Sequence, residues 1–311
     1  MMVSLLSMQV GNSFAQKLTH AMTTPIGAVW IRMAFSGVIL LAMAGVRWLA
    51  RRVMARRLAQ ADPATPLRSA QDDGVGAIGA AASALPRDRK AWGFAIAYGA
   101  ALICMNSMFY EAIARIPVGI VITIEFLGPL AVAILGSRHV QDFIWVALAA
   151  AGVVILGVTP THLTLAGVLF SLGAAVCWAS YILLGWRVAR HWQGVGVLTG
   201  TCLSATVLLL PLFLVGNNQT ALTPPTLWLG LLVALACTVL PYSLELFALK
   251  RLPASLFAII ESLAPAVGAL AAWWILHQNL HYGDWIAIGC IIAASIGASL
   301  TAARQSASQA A

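Results

Sequence analysis

The stretch AIARIP at residues 112–117 occurs a second time, in related form, as ALKRLP at residues 248–253. In both copies the final proline is followed by a glutamate eight residues later and by another proline twelve residues later. The glutamate and proline are Glu125 and Pro129 in the first copy, and Glu261 and Pro265 in the second. An internal repeat that keeps a charged residue and a proline at fixed offsets predicts two halves built on the same plan.

The segments around both copies are too apolar for a soluble protein. The chain has 311 residues, of which 61% are hydrophobic and 9% are charged, whereas soluble domains have about 45–50% apolar and about 25% charged residues. Apolar runs bounded by charges, glycine and proline predict ten transmembrane helices. Their predicted bounds are 3–18, 26–49, 92–114, 118–135, 143–158, 165–184, 195–215, 226–249, 254–276 and 285–302. The predicted fold class is therefore an all-α polytopic membrane protein.

The repeat places the third and fourth predicted helices over the eighth and ninth. Because five helices, an odd number, separate the copies, the two halves are predicted to cross the membrane in opposite directions. The predicted domains are a first five-helix repeat over residues 1–158, a second over residues 165–303, and a cytoplasmic tail over residues 304–311. Inverted five-helix repeats are typical of secondary transporters, whose substrate site lies near the middle of the bilayer.

The distribution of Lys and Arg predicts the orientation. If both termini are cytoplasmic, fifteen Lys and Arg residues lie on the inner side, nine of them within residues 47–90, and two lie on the outer side, Lys17 and Arg115. Such an excess marks the cytoplasmic face of a bacterial inner-membrane protein. The formal net charge of +8 is therefore attributed to orientation and contact with membrane lipid rather than to nucleic acid. Residues 51–90 are predicted to form a flexible cytoplasmic linker.

Four of the ten acidic residues fall within predicted spans: Glu111, Glu125, Glu245 and Glu261. A charge at the bilayer centre costs at least about 2.5–3.5 kcal/mol on insertion scales, so these residues are candidates for substrate binding or proton coupling. The alternative is a protonated group that hydrogen-bonds a neighbouring helix. At about 1.5 Å per residue, Glu125 and Glu261 approach the midplane from opposite faces, each about 12 Å deep. Glu111 and Glu245 lie about one turn from a surface, and suit either gates or snorkelling side chains.

Prolines and polar residues complete the candidate site. Pro129 and Pro265 each follow a midplane glutamate by one turn, where they are predicted to kink the helix and free carbonyl groups that can bind an ammonium group or a water; a packing kink is the alternative. Arg32 could neutralise a glutamate, hold a substrate carboxylate or form an interhelical salt bridge. The remaining candidates, which could line a cavity or pack between helices, are Gln9, Asn12, Gln16, Asn106, Ser107, Tyr98, Tyr110, Trp178, Tyr181 and Tyr242.

Sequence motifs of ATP-driven pumps and hydrolases are missing. There is no Walker A sequence, no His-Glu-x-x-His and no Gly-x-Ser-x-Gly, so energy is expected to come from gradients. The five cysteines lie in apolar runs without a Cys-x-x-Cys pair, and are predicted to be small packing residues. We therefore expect no enzymatic activity, no metal and no cofactor.

Several stretches resemble the EamA-type branch of the drug/metabolite transporter superfamily. They are FY at 109–110 with IPVGI at 116–120, EFLGPLAVA at 125–133, CWA at 177–179 with YIL at 181–183, and LPYSLE at 240–245. The resemblance covers nearly the whole chain outside the linker and is most specific around the fourth and eighth predicted helices.

The resemblance implies ten helices in two inverted repeats, cytoplasmic termini, and export of small amino acids such as threonine and homoserine in exchange for protons. Export of another metabolite or drug on the same scaffold is the main alternative, and a non-transporting membrane enzyme or assembly factor is the third; the paired glutamates and prolines argue against this last class. One departure concerns the end of the ninth helix, where the usual Leu-Gly-Glu is Leu276-His277-Gln278. Oligomeric state is not predicted.

The charge distribution generates a topological prediction. Reporter fusions after Arg57 and after Arg190 are expected to report the cytoplasm, and a fusion after Asn218 the outer side, because the basic segments are retained inside. The measurement is a paired set of reporters active on opposite sides of the membrane. An external signal at Arg57 would contradict the predicted orientation.

Overall fold

A computed structural model of the protein describes residues 2–61, 89–135, 144, 145, 147–149, 151, 152, 155, 163–191, 196–241, 244, 263–278 and 281–310. Every regular element among these residues is a helix, as predicted. The helices are α1 (Met2–Ala21), α2 (Pro25–Ala61), α3 (Arg89–Ile113), α4 (Val118–Glu125), α5 (Leu127–Leu135), α6 (Leu165–His191), α7 (Gly196–Val215), α8 (Pro224–Ala234), α9 (Ala264–Leu276) and α10 (Tyr282–Ala310). A 3-10 turn, Asn218–Ala221, follows α7, and a π-helical turn, Leu235–Val239, follows α8.

Several of these helices suit a lipid environment. Four stretches are long and apolar enough to cross a membrane: Pro25–Val46, Arg89–Ile113, Leu165–Gly185 and Leu198–Val215. Shorter apolar helical stretches are Val118–Val132, Pro224–Val239, Ala264–Leu276 and Tyr282–Gly297. Large apolar side chains such as those of Val176, Val207 and Trp274 lie exposed on the helices, where lipid tails rather than water are the suitable neighbour. The protein is a multi-pass membrane protein.

Two helices extend well beyond their predicted bounds. α2 ends at Ala61 rather than at residue 49, and so includes the start of the predicted linker; residues 62–88 of that linker lie outside the described residues. α10 ends at Ala310 rather than at residue 302, so that the predicted tail is largely helical. Both extensions are rich in alanine and other good helix formers. In both helices arginines mark the end of the apolar run, but the helix continues past them.

Small residues bring the central helices together. α4 packs against α6 and α9, α5 packs against α6, and α1 packs against α9. A Cβ atom at Gly119 in α4 would lie 2.9 Å from the Cα of Ala269 in α9, and one at Gly128 in α5 would collide with the carbonyl oxygen of Ala175 in α6. Because glycine has no side chain, the backbones can approach this closely. The α4–α5 region is thereby held between α6 and α9.

The predicted fourth helix, residues 118–135, consists of two helices. α4 ends at Glu125 and α5 begins at Leu127, with Phe126 between them. Pro129 has no N–H to donate to the Glu125 carbonyl one turn earlier, which explains an interruption at this place. The interruption lies three residues before the proline. In the second copy, Pro265 lies in the first turn of α9, where proline is tolerated, and residues 254–262 of that predicted helix lie outside the described residues.

The end of α9 has an unusual backbone conformation. His277 has a φ of 53° and a ψ of 33°, and its N–H donates to the carbonyl of Ala272. This left-handed conformation costs a residue with a Cβ atom about 1–2 kcal/mol, and glycine is the residue that adopts it most readily. His277 stands where the family resemblance leads us to expect glycine, so that departure places a side chain in a backbone conformation suited to glycine.

Replacing this histidine generates a stability prediction. His277→Gly is expected to raise the free energy of unfolding by about 1 kcal/mol, because glycine adopts the left-handed conformation without steric strain. The measurement is thermal unfolding of the detergent-purified protein. Asn217→Gly is the matched control: Asn217 also has a positive φ, of 51°, but asparagine tolerates this region, so little gain is expected. A lower melting temperature for His277→Gly would contradict the assignment.

Candidate functional site

Glu125 occupies the end of α4, at the interruption before α5. Its side chain is buried, with 8% of its surface exposed, and forms no hydrogen bond or ion pair within the described part of the chain. The next residue, Phe126, packs edge-on against Trp178, with ring centroids 5.6 Å apart. Glu125 therefore directly precedes a residue that packs against α6.

Arg32 is a second buried charged residue, with 6% of its surface exposed. Its guanidinium donates to the Asn106 Oδ1 on α3 at 2.7 Å, to the Thr238 Oγ1 at 3.3 Å and to the Cys237 carbonyl at 3.2 Å. Asn106 is itself oriented by donating to the carbonyl of Leu102 at 2.8 Å. Acceptors from two neighbouring elements thus hold the guanidinium in one orientation, as expected for a charge placed within a membrane span.

The π-helical turn explains how the eighth span supplies these acceptors. A π turn inserts an extra residue, and some of its carbonyls lose their usual partners in the helix. Ser7 on α1 donates to the Ala236 carbonyl at 2.9 Å, and Arg32 donates to that of Cys237. The sequence predicted one continuous helix here and gave no sign of this turn, so Thr238 and the Cys237 carbonyl were not among the predicted site residues. Such turns occur frequently at functional sites.

Two further predicted residues join Arg32 and Asn106 through the same turn. The Asn12 Nδ2 donates to the Gln9 Oε1 at 3.1 Å, and the thiol of Cys237 lies 3.6 Å from the Asn12 Oδ1. We refer to Gln9, Asn12, Arg32, Asn106 and Thr238 as the polar seam. It runs between α1, α2, α3 and the π-helical turn.

Tyr110 on α3 lies beside the polar seam. The side chain is fully buried, and the Arg32 guanidinium carbon lies 5.9 Å from the centroid of its ring. The hydroxyl of Tyr110 has no hydrogen-bond partner among the described residues. A buried hydroxyl without a partner costs about 1–3 kcal/mol, which is why such groups are rare outside functional places.

Glu111, a further predicted acidic residue, is not part of this cluster. Glu111 forms an ion pair of 2.5 Å with Arg115 one turn away, and Arg115 lies over the ring of Phe170 at 4.9 Å. This pair is local to the end of α3, away from the polar seam. Glu245, Glu261 and Tyr242 lie outside the described residues. Within the described residues no group of His, Cys, Asp and Glu side chains could hold a metal ion.

A separate set of amide contacts closes one end of the bundle. The Gln16 Nε2 donates to the carbonyl of Ile113 at 2.5 Å and lies 3.4 Å from that of Ile116, so that α1 is joined to the turn between α3 and α4. The Gln278 Nε2, just after α9, donates to the Gln16 Oε1 at 2.8 Å. We call this chain of contacts the amide latch. Gln278 is not among the predicted site residues, although it departs from the family pattern.

Helices long and apolar enough to span a membrane, together with buried charged residues such as Glu125 and Arg32, are typical of a membrane transporter. The family profile described as the EamA-like transporter family matches residues 165–300. The threonine/homoserine exporter RhtA of Escherichia coli (strain K12) is 39% identical over 212 residues, which cover 67% of this chain and 72% of that protein. The protein of the same name from Salmonella typhimurium (strain LT2) is 40% identical over 211 residues, 67% of this chain and 71% of its own. The chain belongs to the EamA-like transporter family.

More distant likenesses agree in fold. A Bacillus subtilis (strain 168) protein described as the uncharacterized transporter YwfM is 26% identical over 234 residues, 71% of this chain and 79% of its own. A crystal structure aligns over 97% of this chain and 98% of its own chain, with a TM-score of 0.57 and 18% sequence identity. That alignment shows a common overall fold along almost the full length of both chains.

The amide latch generates a pH-dependent prediction. Gln278→Glu replaces an N–H donor by an ionised carboxylate facing the Gln16 oxygen, so the variant is expected to lose about 1–3 kcal/mol of stability at pH 8. The loss should shrink as the pH falls, because the protonated acid can donate an O–H to the same oxygen. Thermal unfolding at pH 8 and pH 5 measures this difference. The matched control is Gln219→Glu, at an exposed residue; equal pH dependence in both variants would contradict the assigned contact.

Proposed function

We propose that the protein is a secondary active exporter of small amino acids, of the threonine and homoserine type, in the bacterial inner membrane. The relatives named as threonine/homoserine exporters support the substrate class. The observation that carries the proposal is the buried carboxylate of Glu125, which has no hydrogen-bond or ion-pair partner within the described residues and lies at the interruption of a membrane span.

The chemistry of this position suits an ammonium group. A carboxylate within the membrane is stable only if it is protonated or meets a cation or hydrogen-bond donors. The Glu125 carbonyl is a second acceptor at the same place, because Pro129 cannot donate to it. An amino acid's ammonium group needs several acceptors, which the carboxylate and the freed carbonyl supply together.

Proton antiport follows from the same carboxylate. If Glu125 binds either a proton or the substrate's ammonium group, each excludes the other, and inward proton flow can drive the amino acid outward. Protons are therefore the proposed coupling ion. Glu261, at the same offset in the second copy of the repeat, is the proposed counterpart, and the proposed cycle alternates access between the two faces around this site.

The packing of the helices supports two inverted repeats. In that arrangement α1, α2, α3 and the α4–α5 pair correspond to α6, α7, α8 and α9. Corresponding helices make corresponding contacts. The contact of α1 with α9 corresponds to the contact of α6 with α4 and α5. The contact of α3 with α6 corresponds to the contact of α8 with α1. The helices α2 and α7, which correspond to each other, pack together. The charge distribution supports cytoplasmic termini.

The test of the proposal is Glu125→Gln. The amide keeps the size and most hydrogen-bonding capacity of the side chain but cannot titrate, so export driven by an imposed pH gradient is expected to fall by about 100-fold or more. The protein should still insert, because removing a buried charge lowers the insertion cost. Glu261→Gln is expected to reduce export less. The measurement is amino-acid transport in proteoliposomes at equal protein abundance.

Glu111→Gln provides a matched glutamate replacement outside the polar seam. Because Glu111 pairs locally with Arg115, its replacement is expected to change export by no more than about threefold, in keeping with the small energy of such pairs. Normal gradient-driven export by both Glu125→Gln and Glu261→Gln would eliminate the proposed coupling site. A panel of amino acids and unrelated metabolites separates amino-acid export from export of another compound.

A further inference from the structure

We propose that the amide latch is the gate of the substrate path, and that buried amide side chains of α1 line this path between the latch and Glu125. This inference rests on the proposed function and deepens it, because it assigns the contact that breaks when the site opens. In the proposed orientation the end closed by the latch faces the outside, so the gate controls release of the exported amino acid.

One face of α1 carries a stripe of amide side chains. Gln9, Asn12 and Gln16 follow one another at offsets of three and four residues, so they lie on the same side of the helix. All three side chains are buried. Polar groups inside an apolar bundle are costly unless they meet polar partners, and a zwitterionic solute needs such partners along its whole path. The stripe therefore suits the lining of a path for an amino acid.

The first residue of the stripe lies close to the level of Glu125. A Cβ atom at Gly268 in α9 would lie 3.2 Å from the Gln9 Oε1 and 2.6 Å from the Ile122 Cδ1. Gln9 and α4 thus meet at the same glycine. Ile122 precedes Glu125 by three residues, which is about one helical turn. The stripe therefore begins about one turn from the proposed binding position.

The last residue of the stripe belongs to the latch. Gln16 donates to the carbonyl of Ile113 at 2.5 Å and accepts from the Nε2 of Gln278 at 2.8 Å. In the proposed repeat arrangement α1 belongs to the first half of the protein and α9 to the second, so the contact between Gln16 and Gln278 joins the two halves. A transporter that alternates access breaks contacts between its halves at each face in turn. A single hydrogen bond between neutral amides is weak enough to break in every cycle.

A second contact between the halves lies at the same end of the protein, because Thr24 lies between α1 and α2. The fully buried side chain of Asn218 accepts from the Thr24 N–H at 2.9 Å, and donates to the Thr24 Oγ1 at 2.9 Å and to the Phe213 carbonyl at 3.1 Å. By contrast, the Oε1 of Gln278 is buried and has no hydrogen-bond partner within the described residues. The latch is therefore the contact that opens more readily, and the Asn218 contact stays in place.

The thiol of Cys237 is a native reporter of access to the path. It is buried and lies 3.6 Å from the Asn12 Oδ1. Gln278→Ala removes the donor to Gln16, so a water-soluble thiol reagent is expected to modify Cys237 about two- to tenfold faster, the factor that corresponds to the loss of one hydrogen bond. The measurement is the rate of modification in the detergent-purified protein, resolved by mass spectrometry of its peptides.

Cys202 on α7 is the internal control, since it is also buried but lies outside the stripe and the latch. General loosening of the protein would accelerate modification of both thiols, whereas opening of the gate accelerates that of Cys237 alone. Gln219→Ala, at an exposed glutamine, is the matched variant and should change neither rate. An unchanged rate at Cys237 in Gln278→Ala, or equal acceleration at Cys202, would overturn the proposed gate.

A reversible crosslink tests whether the latch opens during transport. In a background whose three cysteines that are not fully buried are replaced by alanine, Gln16→Cys and Gln278→Cys are joined by a short reducible bifunctional reagent. Export from proteoliposomes is expected to fall at least about tenfold and to recover on reduction, because the opening step is blocked. The control pair is Thr23→Cys with Asn217→Cys, at two exposed residues whose contact joins the halves at the same end. Its crosslink should leave export within about twofold.

Transport by the unchanged protein separates the two hypotheses. If the unchanged protein transports no amino acid, the proposed function fails. If it transports amino acids, and export continues at the same rate while Gln16→Cys and Gln278→Cys are crosslinked, the proposed function stands and only the gate is overturned.

Discussion

The requirement to stabilise the buried guanidinium of Arg32 determines much of the described structure. A cation within a membrane span needs acceptors from the protein, because lipid supplies none. Here the acceptors come from Asn106 on α3 and from Thr238 and the Cys237 carbonyl beyond α8. The π-helical turn is the local deformation that makes a backbone carbonyl available. One side chain therefore connects α2 to two other spans, and defines where they meet.

The position of Glu125 depends on a different irregularity of the backbone. The π-helical turn contains an inserted residue and makes a carbonyl available to a cation. The interruption at Phe126 instead ends α4, and Glu125 is the last residue of that helix. Gly119 in α4 packs closely against α9, and Gly128 in α5 packs closely against α6. These contacts hold the two short helices in position. Glu125 thus lies beside one irregular stretch of backbone, and Arg32, on the regular helix α2, contacts a second one in the π-helical turn. Irregular backbone at this depth is tolerated in membrane proteins when it is buried in protein or lines a cavity.

The amide latch shows how a departure from a family pattern can be accommodated. Gln278 keeps a donor at a position where the resemblance leads us to expect an acid, and it uses that donor to contact Gln16. His277 takes a backbone conformation that suits glycine. Both residues lie at the end of α9. The end of α1 and the turn after α3 lie at the same place, because Gln16 contacts both Ile113 and Gln278. The closure of this end therefore depends on neutral amides, whose contacts do not change with pH.

The amino-acid sequence by itself determined the membrane class, the helical character and the residues worth attention, because apolar length, proline and buried charge act locally along the chain. Glu125, Arg32, Asn106, Gln9 and Asn12 could all be selected in this way. Helix ends were less predictable, as α2 shows, because charged residues that end an apolar run can still continue the same helix beyond the lipid. The tertiary structure alone decided which polar groups meet. The π-helical turn, the support of Arg32 by Thr238 and the contact between Gln16 and Gln278 join residues distant in sequence, and no local pattern encodes such pairings.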